Sequence, residues 1–146
     1  MFLGVLSVPA VGATPRTPGP LPDTSLTPGA KDDNVTQENL ALTICTPGYT
    51  KTITKVSTNT KSKVYVEYKV AKSDRSKFTI DHLIPLELGG SNDIRNLWLQ
   101  RKKGDTGSSP KDRAENRLHS VVCAGTVTLA DAQAAIVADW RSASKR

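Results

Sequence analysis

Apolar and polar positions divide the chain into short runs. TITKV at 52–56 alternates, and it follows Pro47-Gly48, so a turn leading into a short strand or extended arm is expected. STNTKSKVYVEYKV at 57–70 supports two readings. Val64, Val66 and Tyr68 alternate as on a strand, while Ser57 or Thr60 offers a helix cap. KFTIDHLIPLELGG at 77–90 reads as a strand that enters a loop or second strand, because Pro85 cannot donate to a ladder. Gly89-Gly90 supplies a turn that tolerates positive φ. SNDIRNLWLQ at 91–100 then returns as the second arm of a hairpin or opens a short helix.

Helical periodicity takes over near the C-terminus. Pro110 suits the start of a helix over KDRAENRLHSVV at 111–122, with Ala124-Gly125 as its end. Thr128 caps a last helix, on which Leu129, Ala132, Ile136, Val137 and Trp140 share one face. Residues 14–35, rich in Pro, Thr and Gly, are expected to be a linker. The folded domain is then 36–141, with a basic tail at 142–146.

Composition narrows the picture. A chain of 146 residues with 37% hydrophobic and 5% aromatic content builds one domain with a small core, which calls for a crosslink or a metal. The net charge of +6 suits a polyanion such as nucleic acid, although a basic soluble protein needs no such partner. Cys45 and Cys123 are the only cysteines, which argues against a thiolate zinc site. They are two buried thiols or one disulfide, and the compartment decides which. Residues 1–13, MFLGVLSVPAVGA, are too short to span a bilayer. They end in the small residues that suit signal-peptidase cleavage but lack a basic start, so they read as the remnant of a secretory signal. Export favours a Cys45–Cys123 cystine.

The candidate chemistry lies at the two histidines. Glu115 and His119 are four residues apart on one helix face and can hold one divalent metal ion, with Asp81 as the third ligand. Such oxygen-rich ligands suit Mg²⁺ or Mn²⁺, with Zn²⁺ or Ni²⁺ as alternatives. Asn116 and Asp112 are further candidates for the ion or for orienting its ligands. His82 is left as a general base, and the Asn96 amide can brace its loop. Base and metal together are what phosphodiester hydrolysis requires. Arg101, Lys102, Lys103 and Lys111 are candidate nucleic-acid contacts, as are Tyr49, Lys51, Lys55, Lys61 and Lys63.

DHLIPLELGGSNDIRNLWLQ, followed by KDRAENRLH, VCAG and a closing L-x-x-A-Q with D-W, resembles the HNH endonuclease superfamily, in particular a branch of small exported bacterial proteins. The resemblance spans roughly 36–140. It implies an α+β chain with a ββα-metal core, an N-terminal arm or helix and a C-terminal helix. Asp81, Glu115 and His119 would be metal ligands, His82 the general base and Asn96 the bracing residue. The substrate would be DNA, with RNA as a further substrate, cut to leave a 5′-phosphate. The resemblance tips 57–70 toward a helix and fits the cystine. Three positions depart from the branch: Leu99 stands where Pro is usual, Lys69 replaces a usual Gly, and 106–110 lack the usual aromatic or His. The rival reading is a non-catalytic module that binds nucleic acid or protein, with a structural metal site.

Overall fold

A computed structural model describes residues 18–143 and 145, so the expected signal remnant at 1–13 lies outside them. The described chain is α+β. Helix α1 (Thr58–Glu67) precedes strand β1 (Phe78–His82), strand β2 (Leu97–Arg101), helix α2 (Ser108–Cys123) and helix α3 (Leu129–Ala143). The strands pair antiparallel, from Phe78 opposite Arg101 to His82 opposite Leu97. Every residue of β2 before Arg101 is buried, and β2 forms the floor of the core.

Segment 57–70 is the helix α1. Ser57 Oγ accepts the Thr60 amide, and Val64 and Tyr68, four apart, are buried while Val66 is 70% exposed. The core therefore reads a spacing of four, and the alternation is incidental. Just past α1, Lys69 sits at φ +53, a left-handed conformation that favours glycine. TITKV forms no strand, since the sheet among the described residues has two strands and neither includes it. The returning arm of the hairpin takes both forms, a 3-10 turn at Ile94–Asn96 and then β2.

The described part of the expected linker, 18–35, instead packs against the core. Tyr68 donates to Thr27 Oγ1 at 2.7 Å, and Thr27 in turn donates to the Leu97 carbonyl at 2.8 Å. Trp140 Nε1 donates to the Pro20 carbonyl, Lys31 bridges Gly90, and Val35 is buried. Proline and threonine composition marked the segment as irregular, which it is, but irregular backbone packs when its polar groups find partners. The expected tail likewise begins inside α3, where Ala143 is buried. The packed face of α3 is as expected at Leu129, Ala132, Ile136 and Trp140.

Cys45 and Cys123 form a disulfide that ties the segment before α1 to the end of α2. It suggests an oxidising environment. No helix among the described residues is long and apolar enough to cross a membrane.

Candidate functional site

The connection from β1 to β2 is held by one buried side chain. Asn96 Oδ1 accepts the Ile84 amide at 2.9 Å, and its Nδ2 donates to the Ile84 and Ser91 carbonyls, both at 2.9 Å. Its backbone carbonyl accepts the Leu83 amide. Asn96 thus fixes the chain directly after Asp81-His82. The two glycines serve this clamp differently. Gly89 takes φ +74, while Gly90 makes room, since a Cβ there would lie 1.8 Å from the Ile84 carbonyl oxygen and 2.8 Å from Asn96 Nδ2.

His82 is partly buried, with Nε2 at 2.8 Å from Asn92 Oδ1. The Asn92 amide nitrogen donates to the Thr54 carbonyl, which can only accept, so the amide oxygen faces the imidazole. Nε2 is therefore the protonated nitrogen of neutral His82, and Nδ1 carries the lone pair.

Asp81 and Glu115 converge as expected, but on a lysine. The side chain of Lys111 is wholly buried. Its ammonium lies 2.7 Å from Asp81 Oδ2, pairs with Glu115 Oε1, and donates to the His82 carbonyl at 2.8 Å. Lys111 is thus no surface contact for nucleic acid, as its basic charge alone had suggested. Its position one helical turn before Glu115 brings it inward. Trp98 Nε1 adds a 3.3 Å bond to Asp81 Oδ2. One cation between two carboxylates, Glu115 buried and Asp81 partly so, leaves a surplus negative charge. Burial pushes the Glu115 carboxyl up to about 7; Lys111 lowers it and Asp81 raises it further. Burial works against the Lys111 ammonium, but Asp81 and Glu115 outweigh it and raise its pKa.

His119 does not join them. Its Nε2 donates to the Ile44 carbonyl at 2.7 Å, and its Nδ1 faces Glu87 Oε2 at 4.0 Å. The expected trio of Asp81, Glu115 and His119 therefore does not meet at one point. Glu87 was missed in the sequence, hidden in the apolar run LIPLEL, where the 3-10 turn at Leu86–Leu88 brings it out beside α2. Burial raises its pKa, His119 lowers it and Asp112 raises it. Asp112 and Asn116 stay on the exposed side of α2.

These residues surround two adjoining clefts. Asp81, His82, Glu87 and Glu115, with Thr50 and Lys51, line one of about 300 Å³. His82 and Asn92 also line a groove of about 290 Å³ with Lys51, Lys55 and Lys61. Those three lysines are exposed and have no ion-pair partner among the described residues. Arg101, Lys102 and Lys103 are exposed too, but they follow the far end of the hairpin. Arg101 lies four positions along the strand from Leu97, the partner of His82, a distance of about 13 Å.

Cys45, His119 and Cys123 offer ligand atoms within 4.8 Å of one another, a group that could hold a metal ion. Thiolate is the ligating form, so closure of the disulfide removes both sulfurs from that role. Comparison of the chain with models of known protein families, with curated proteins and with solved structures found no match.

Proposed function

We propose that this chain is an exported, metal-dependent HNH-type endonuclease that hydrolyses phosphodiester bonds of DNA, with RNA as a further substrate. The observation that carries the reading is the neighbourhood of His82. An imidazole with its Nε2 proton committed to Asn92 lines a cleft with three carboxylates and a groove with three exposed lysines. Its neutral Nδ1 can take a proton from water as a general base. The lysines supply contacts to phosphates that carry no sequence information. The hairpin followed by α2 supports the ββα-metal reading of the fold, as does the resemblance of 81–98.

Asp81, Glu87 and Glu115 offer hard oxygen donors, and His119 adds an imidazole, a set that suits Mg²⁺ or Mn²⁺. A bound ion would steady the charge on the phosphate and on the leaving oxygen. In this reading Asn96 holds the backbone that aims His82, and Asn92 fixes its tautomer.

The test is plasmid cleavage by the oxidised full chain in EDTA, Mg²⁺ or Mn²⁺, with His82→Ala alongside. The expected result is metal-dependent nicking that falls by at least a hundredfold in a variant that still unfolds at the wild-type temperature. A His82→Ala protein that cuts at the wild-type rate sinks the assignment. If the folded wild-type chain retards DNA but never cuts, the non-catalytic binding module replaces the nuclease.

A further inference from the structure

Lys111 leaves the Asp81–Glu115 pair little need of another cation. Its three N–H bonds are directed at Asp81, Glu115 and the His82 carbonyl, and its side chain is wholly buried. A divalent ion placed between those carboxylates would have to displace an ammonium that already pairs with both of them and with the His82 carbonyl. The uncompensated donors of the site lie one step away. His119 Nε2 is committed to the Ile44 carbonyl, which can only accept. The lone pair of neutral His119 is therefore on Nδ1, and it faces the Glu87 carboxylate across 4.0 Å. Neither Nδ1 nor the Glu87 carboxylate makes a hydrogen bond among the described residues. Two acceptors facing each other across that gap repel unless a cation or a proton stands between them. The gap is too long for a hydrogen bond, but two metal–ligand bonds of about 2.1 Å span it.

We infer that Glu87 and His119 Nδ1, rather than Asp81 and Glu115, bind the divalent ion of this site. The inference rests on the metal-dependent reading above and changes its ligands. Glu87 lines both the cleft of His82 and a neighbouring cleft of about 260 Å³ that holds His119, so an ion between Glu87 and His119 sits beside the cleft of the proposed base. Two protein ligands leave most of the coordination sphere open for water and phosphate oxygens, as a catalytic ion requires. Lys111 becomes a positioning residue, which ties α2 to the backbone of His82 and fills the place between Asp81 and Glu115.

The probe is Mn²⁺, titrated calorimetrically into the oxidised full chain without reductant, so that the cystine stays closed and sulfur cannot bind the metal. Glu87→Gln is expected to weaken Mn²⁺ binding at least tenfold. His119→Gln, which retains a donor for the Ile44 carbonyl, is expected to do the same. Glu115→Gln is expected to change affinity less than threefold. Circular dichroism confirms that each variant is folded; Glu87 and His119 are both partly exposed, so their loss leaves the core intact. The inference is overturned if Glu115→Gln weakens binding as much as Glu87→Gln, if Glu87→Gln binds like wild type, or if the wild-type chain binds no Mn²⁺. Cleavage separates this inference from the nuclease reading. Metal-dependent cutting with unchanged binding in Glu87→Gln refutes only the ligand assignment. Mn²⁺ held by Glu87 and His119 in a chain that never cuts refutes only the nuclease.

Discussion

Replacing Lys111 with Met removes a charge and keeps most of the stem. Methionine fills nearly the same volume, so packing is largely conserved, and the loss reports on the ammonium. That ammonium, itself wholly buried, holds two carboxylates and one carbonyl at the floor of the cleft. Removing one partner of a buried ionic cluster costs about 3–5 kcal/mol, because the remaining charges stay uncompensated. The cost must depend on pH. Glu115 titrates at about 7 in the fold against an ordinary 4.5. The folded state therefore holds that proton more tightly than the unfolded chain, and stability falls as pH rises between those values. The gap amounts to about 3 kcal/mol at its full extent. Without Lys111 the Glu115 carboxyl moves higher still, so the variant loses more with rising pH than the wild type does. Urea unfolding followed by fluorescence of Trp98 and Trp140 is the assay. Lys111→Met is expected to lose about 3–5 kcal/mol at pH 8. At pH 5, where Glu115 is already neutral, it is expected to lose about 2 kcal/mol or less. An equal loss at both pH values, or a loss below about 1 kcal/mol at pH 8, refutes the charge argument.

Three further outcomes follow from the clamp and the backbone. Asn96→Ala leaves the Ile84 amide and two carbonyls without their partners and is expected to destabilise by about 3 kcal/mol or more in the same assay. Gly90→Ala cannot seat its methyl group against the Ile84 carbonyl, so a drop in thermal midpoint of about 10 °C or more is expected, whereas a shift under about 2 °C would disprove the close approach. Lys69→Gly relieves a left-handed backbone at the end of α1 and is expected to stabilise by about 0.5–1 kcal/mol, measured by urea midpoint.

Much of the site was legible because its residues are close in sequence. Asp81, His82 and Asn96 belong to one hairpin, and the strand period and the turn glycines bring them together. Glu115 was legible through its spacing on a helix. Glu87 was not, because a lone acid in an apolar run carries no periodic signal, and only the 3-10 turn after Pro85 aims it at His119. Lys111 was misplaced for a related reason: a lysine reads as surface until two carboxylates from different elements surround it.

The sequence by itself determined the local elements whose signals are short-range. These are the caps at Ser57 and Thr128, the apolar face of α3, the paired arms around Gly89-Gly90, and two cysteines suited to one bridge. Tertiary structure decided what depends on groups far apart in the chain. Val64 and Tyr68 face a core that accepts a helix in preference to a strand. Thr27 finds Tyr68 and Leu97, which turns an expected linker into part of the fold. His119 turns to Ile44, 75 residues away, and leaves Asp81 and Glu115 to Lys111. Hydrogen-bond and charge partners of this kind are fixed by desolvation, because a buried polar group takes whichever partner the packing brings to it. Sequence spacing has no access to that choice.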